Sequence, residues 1–223
     1  VRLGIRLDEI SIAPAMQAMG DMMAPQFDGT SADITEENIQ SRLRGLILMG
    51  ISNKHGPLVL ATGNKSEYAA GYSTLYGDMC GGFAPIKDVW KVQVFDLCRW
   101  RNANMPRGGA GPEGEVIPVR IIDKPPSAEL RPDQKDTDSL PPYERLDAIM
   151  KALCEEMVDI ETIAARGYDR DEVARASQLL FRAEYKRFQA APGPKMNALA
   201  FGRERRLPLT SGFNPLTASG KES

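Results

Sequence analysis

The run Pro57-Leu58-Val59-Leu60-Ala61-Thr62, followed at once by Gly63-Asn64-Lys65-Ser66-Glu67, limits what this chain can fold into more than any other feature. A short continuous apolar run lacks the alternation of a half-exposed strand. It predicts a strand buried on both faces, inside a parallel sheet with helices on either side. The turn after it brings a glycine, a lysine, hydroxyls and a carboxylate to the strand's carboxyl end, where open α/β sheets bind ligands. Two readings of that turn stand side by side. Thr62 can hydrogen-bond a nucleotide, Lys65 can neutralise phosphate and Glu67 can hold a magnesium ion. The same residue types also cap helices.

The flanking sequence supports an α/β order of elements. Arg6–Ile12 reads as a short strand and Ala15–Met23 as a Met-rich helix ending before Pro25, with Met16, Met19, Met22 and Met23 as core filler. Thr35 is the expected N-cap of a helix with Glu36 and Glu37 in its first turn. Ile39, Leu43, Leu46, Ile47 and Gly50 form its predicted buried stripe. Asn38 and Arg42, four apart, share another face, which pattern alone favours as merely solvated. Pro85 and Asp88 open a helix to about Asn102, with Val89, Val92 and Phe95 inward. Residues 103–142 hold eight of the 16 prolines and predict a lid, a binding loop or disorder, with a brief ordered element at Val116–Ile122. Tyr143 to Ala190 predicts two or three helices, the later ones capped by Asp159 and Asp169, before a basic tail.

Composition excludes several classes. Lys and Arg total 28 against 30 Asp and Glu, a formal net charge of -2, so no global field draws nucleic acid or an anionic membrane. No segment has the ~20 apolar residues of a membrane helix, and no signal peptide is visible, which predicts a cytoplasmic location. Cys80, Cys98 and Cys154 form no Cys-x-x-Cys pair and read as reduced thiols. The only histidine, His55, is expected in a turn as a plain surface residue; Ser-His-Asp machinery could use only it, and a multi-histidine metal site is excluded within the chain. Any metal must be a hard cation on carboxylates and substrate phosphates, which points to magnesium. Cys80 lacks a partner base. Arg203, Arg205 and Arg206 suit a phosphate patch or a solvated tail equally.

Five motifs then occur in one order: Glu37-Asn38-Ile39-Gln40-Ser41-Arg42-Leu43-Arg44, Thr62–Glu67, Tyr76-Gly77-Asp78-Met79 running on through Gly81–Val89 to Lys91, Lys124-Pro125-Pro126-Ser127-Ala128-Glu129-Leu130, and Glu184-Tyr185-Lys186-Arg187. In this the chain resembles the synthetase domain of glutamine-dependent NAD synthetases, from Val1 to about Phe213. The resemblance implies an α/β fold: a Rossmann-like parallel sheet of the adenine-nucleotide alpha-hydrolase (ATP pyrophosphatase) type with a helical C-terminal appendage. It implies a nucleotide-binding core at 1–102, a lid at 103–142 and a helical region with a basic tail at 143–223.

It also implies ATP-driven amidation of deamido-NAD through an acyl-adenylate, with Mg2+. Thr62, Lys91 and Ser127 would contact ATP. Asn38, Arg42, Glu67, Lys186 and Arg187 would hold deamido-NAD, and Glu67 would sit beside the magnesium. A homodimer, with the Asn38/Arg42 helix at its interface, and a glutaminase domain in the same full-length chain are the implied partners.

The family's Ser-Gly-Gly-x-Asp-Ser loop and glutaminase domain are absent from these residues. The expectation is therefore a C-terminal piece lacking its first strand and helix, and inactive or nearly so by itself. The alternatives are a nucleotide-binding fragment without chemistry, or another ATP pyrophosphatase such as a GMP synthetase. The Glu184–Arg187 motif and the Asn38/Arg42 helix argue against the latter.

Overall fold

The computed structural model describes residues 2–131 and 133–210. Val1, Pro132 and the last part of the expected basic tail, 211–223, lie outside the described residues. Nine α-helices are described, joined by long irregular connections. Among the described residues no helix is long and apolar enough to cross a membrane.

Helix α1 (Ala13–Phe27) is longer than expected: Pro25 falls in its last turn and does not end it. None of its residues is buried, so the four methionines are not core filler, and Met22 is 65% exposed. Arg6–Ile12 forms no strand; Leu7 and Ile10 face solvent. Helix α2 (Ile34–His55) is capped by Asp33, two residues before the expected Thr35, in a reciprocal box with Glu36. It runs through His55, which lies in the last turn, and stops at Gly56 in the left-handed region with φ 87°. Its buried residues are Ser41, Leu43 and Gly45, while Leu46 and Gly50 are exposed. The inward face is rotated from the apolar stripe because it packs on the tight turn at Tyr76–Cys80: a Cβ on Gly45 would meet the Tyr76 carbonyl at 2.9 Å.

The parallel sheet is the main difference from expectation. Among the described residues there is no strand; Pro57–Thr62 makes one isolated parallel bridge, Leu60 to Phe83. Gly82 N–H donates to the Val59 carbonyl and Ala61 N–H to the Phe83 carbonyl, both at 2.9 Å. With one bridge on one side, the run stays half covered: Ala61 is buried, but Leu58 and Leu60 are 65% and 51% exposed.

The core lies instead in what the sequence marks as an appendage. Helices α6 (Tyr143–Cys154), α7 (Ile160–Ala165) and α8 (Arg170–Arg182) pack together and onto the short α3 (Lys65–Ala70). Asp159 and Asp169 cap α7 and α8 as expected. The chain turns again at Ala183 into α9 (Glu184–Gln189), giving four helices where two or three are expected. Leu146, Ile149, Met150, Ile163, Val173 and Leu180 are essentially out of water, each worth ~1.5–3 kcal/mol of burial. The third predicted helix starts late: α4 spans Lys91–Ala103, because Pro85–Val89 is turn. Within 103–142, α5 (Val119–Asp123) is the brief ordered element, with Val116 and Ile122 buried.

Candidate active site

The turn after Thr62 is a helix start. Asn64 caps α3 by accepting from Glu67 N–H at 3.1 Å, and Glu67 Oε2 accepts from Asn64 N–H at 3.1 Å. The capping alternative is therefore realised, and it occupies only one carboxylate oxygen. The other, Oε1, lies 3.1 Å from Lys91 Nζ. Lys91 is the first residue of α4, and its ammonium also sits 5.4 Å over the Tyr143 ring. The starts of α3 and α4 are held together because Lys65 N–H donates to the Val89 carbonyl at 2.9 Å. Both members of the pair keep about a fifth of their side-chain surface open. Burial pushes the Glu67 carboxyl above its ordinary range, against the downward pull of the Lys91 charge. Thr62 is exposed, two residues ahead of the Asn64 cap.

Lys65 is not available to a phosphate. It is wholly buried, with its Nζ 2.6 Å from Asp88 and 2.7 Å from Glu155, and it donates to the Leu199 carbonyl at 2.7 Å. Sequence reasoning misses this because the partners stand 23, 90 and 134 positions away.

At the far end of α3 a second set of expected residues meets the loop 71–78. Asn38 Oδ1 accepts from the Thr74 hydroxyl at 2.9 Å. Arg42 Nε donates to the Leu75 carbonyl at 3.2 Å. Asp78 accepts from Thr74 N–H at 2.7 Å and from the Ser41 hydroxyl at 3.1 Å. Lys186 on α9 donates to the Gly71 and Ser73 carbonyls at 2.7 and 2.6 Å, and burial holds its ammonium below the ordinary lysine range. Glu67 and Gly71 are about one helical turn apart, a rise of roughly 6 Å along α3.

Arg187 is turned the other way. It is 2% exposed, paired with Glu184 at 2.7 Å, and donates to the Tyr68 and Ala69 carbonyls at 3.1 Å and to the Leu180 carbonyl. It thereby satisfies the end of α3 from inside.

Ser127 lines a cavity of about 800 Å³ together with Gln40, Lys124, Arg131 and Gln134. The 124–136 segment is seated on α2 through Gln134, whose amide donates to Glu37 at 3.2 Å, and through Arg131, 3.3 Å from the same carboxylate. It is seated on α6 through Asp136, which accepts from the Tyr143 hydroxyl at 2.8 Å. Burial, then the charges of Asp136 and Glu67, raise the Tyr143 phenol far above its ordinary range. Ser127 thus stands by α2, while the Glu67–Lys91 pair stands by α6, with Tyr143 and Asp136 between.

A carboxylate and a lysine paired at two neighbouring helix starts make a site chemically suited to a phosphate-bearing ligand and a hard cation. The NAD synthase family model matches residues 1–190, and the chain belongs to that family. The glutamine-dependent NAD(+) synthetase of Rhodobacter capsulatus is 55% identical over 210 residues, which are 94% of this chain and 38% of that protein. The enzyme of the same name from Xanthomonas campestris is 53% identical over 212 residues, 95% of this chain and 37% of that protein. The chain therefore spans a little over a third of the length of these relatives. A solved glutamine-dependent NAD(+) synthetase from Cytophaga hutchinsonii superposes with a TM-score of 0.73 at 24% identity, over 94% of this chain and 34% of that one. That likeness is one of fold.

Proposed function

We propose that this chain carries the ATP-dependent amidation of deamido-NAD to NAD. The nicotinate carboxylate attacks the α-phosphate of ATP, pyrophosphate leaves, and ammonia then displaces AMP from the acyl-adenylate. A carboxylate is a poor electrophile because its leaving group would be oxide, and adenylation replaces that with a phosphate ester. The protein's work is to hold two anions together at the reacting angle, for which positioning supplies up to ~7–11 kcal/mol, and to offset their repulsion with fixed charge.

In this reading Lys91 meets ATP phosphate, Thr62 the nucleotide, and Ser127 closes over it with the lid. Asn38, Arg42 and Lys186 hold the dinucleotide at the 71–78 loop, with Arg187 bracing that loop's helix from within. Magnesium would take Oε1 of Glu67, the hard carboxylate oxygen now paired with Lys91, and leave the remaining ligands to phosphate. Among the described residues no group of three or more His, Cys, Asp or Glu could hold a metal alone. When bound, the ion neutralises phosphate oxygens.

The reading extends to a Rossmann-like parallel sheet of which Leu60–Phe83 is one contact. It keeps the division into a core at 1–102, a lid at 103–142 and a helical region at 143–223. It includes ammonia from a glutaminase domain of the same protein, and a second copy meeting α2, where Leu46, Leu48 and Ile51 are uncovered.

The observation that carries this reading is the Glu67–Lys91 pair at 3.1 Å, one turn of α3 from the loop that gathers Asn38, Arg42 and Lys186. The test is turnover of deamido-NAD and ATP by the full-length protein with ammonia as nitrogen donor. NAD, AMP and pyrophosphate should appear in equal amounts. Binding of deamido-NAD without ATP cleavage would replace the ligase with a binding module.

A further inference from the structure

Helix α4 begins with a residue that cannot cap it. Its N-cap is Trp90, whose side chain has a donor and no acceptor. The first-turn amides need partners from elsewhere. Trp90 N–H finds Gln93 Oε1 at 3.0 Å, inside the same turn. The next two go to other elements. Lys91 N–H donates to Ser66 Oγ at 2.8 Å, the Ser66 hydroxyl donates to Asp147 Oδ1 at 2.5 Å, and Val92 N–H donates to Asp147 Oδ2 at 3.0 Å. One carboxylate on α6 therefore grips α3 through the Ser66 hydroxyl and α4 through the Val92 amide, with the Lys91 amide joined to it by way of Ser66.

Those are the two elements that carry the reactive pair. Ser66 immediately precedes Glu67, and Lys91 is itself one of the gripped residues. Asp147 is 7% exposed, flanked on α6 by Leu146 and Met150, both wholly buried. Its position on that stripe is one where an apolar residue would cost less, because a buried carboxylate needs every partner it can find. Here it is met by the Val92 amide at a helix start, where negative charge is favoured, and by the Ser66 hydroxyl.

We propose that Asp147 is a positioning residue for catalysis: through Ser66 and the first turn of α4 it sets the separation and angle of Glu67 and Lys91. The inference rests on the reading of that pair given above and adds the group that holds it in register. Displacements near 1 Å at such a pair cost on the order of 100-fold in rate.

The test is a kinetic cycle on the full-length protein, with ammonia as nitrogen donor and saturating ATP. Asp147→Asn, nearly the same in shape, offers N–H to Ser66 and so breaks the relay. It should lower kcat by roughly 10- to 100-fold while the KM for deamido-NAD changes by less than about twofold. In the Lys91→Ala background the same change should add less than about twofold, because its effect runs through Lys91. Ser66→Ala, which removes one oxygen and leaves the helix capped at Asn64, should follow the same pattern. Circular dichroism and a melting curve confirm the fold of each variant.

Full multiplication of the two effects in the double variant would show that Asp147 acts on the fold alone, and would overturn the proposal. So would a folded Asp147→Asn protein with unchanged kcat. If Lys91→Ala itself leaves turnover intact, the site reading fails first and this inference falls with it.

Discussion

The Lys65 ammonium lies 2.6 Å from Asp88, 23 residues along the chain, with both side chains out of water. Glu155 completes the cluster at 2.7 Å, and Asp88 also accepts from the Met196 and Asn197 amides at 2.7 Å. The start of α3, the end of α6 and the segment after α9 are tied at one point. Lys65→Met would leave two buried carboxylates without a cation, a loss of ~3–5 kcal/mol. Urea unfolding followed by tryptophan fluorescence should show a lower midpoint with an unchanged slope. An unchanged midpoint would mean that the cluster is open to water.

Glu67→Gln separates the two tasks of that residue. Glutamine at the third helical position completes a capping box as glutamate does, so melting should move by no more than a degree or two. The ion pair with Lys91 and any hold on a cation disappear together, and turnover should fall by at least ~100-fold. A large drop in melting temperature would show the carboxylate to be mainly structural.

Gly77 has no room for a side chain. A Cβ there would meet Ser41 Cβ at 2.9 Å and the Ser41 carbonyl carbon at 3.0 Å, as well as the Ser41 hydroxyl. Gly77→Ala must push α2 from the 71–78 loop, at ~1–3 kcal/mol, and should raise the KM for deamido-NAD through Asn38 and Arg42. Gly50, also on α2, has nothing within 4 Å. Gly50→Ala should stabilise by ~0.5–1 kcal/mol and leave the KM alone. Equal effects from the two would contradict this packing.

Lys87 is buried and donates to the Ala191 carbonyl at 2.7 Å, and burial lowers its affinity for a proton. The sign follows from linkage. Between its depressed folded value and the ordinary 10.5, the unfolded chain binds the proton that the folded chain lacks, so stability rises with pH. The melting temperature of the wild-type protein relative to Lys87→Met should therefore climb as pH rises toward 10.5. A flat difference would place the ammonium in water.

Some of this was legible in the residues. Asp159 and Asp169 cap α7 and α8 because a short side-chain oxygen finds the amide three positions on, a purely local rule. The family motifs mark Glu67 and Lys91 separately, one for the dinucleotide and the cation and one for ATP; their pairing at 3.1 Å is what the structure adds. What escaped was non-local. Lys65 reads as a phosphate ligand until Glu155 and Leu199 arrive from far along the chain. The apolar face of α2 misleads because the turn it packs on needs small residues, Ser41 and Gly45, and not large ones. Asp147 carried a signal that could have been used: Tyr143, Leu146, Met150 and Cys154 make a stripe at helical spacing, and a carboxylate sits on it. The strand at Pro57–Thr62 has the right composition, but a strand exists only where neighbours pair with it, and one bridge to Phe83 is what it finds.

The path of one oxygen atom tests the whole account. Deamido-NAD bearing oxygen-18 in its nicotinate carboxylate is turned over with ATP and ammonia by the full-length protein, and the products are weighed by mass spectrometry. Attack of that carboxylate on the α-phosphate predicts AMP carrying one heavy oxygen. Unlabelled AMP, or label in orthophosphate formed beside ADP, would contradict adenylation at the Glu67–Lys91 pair.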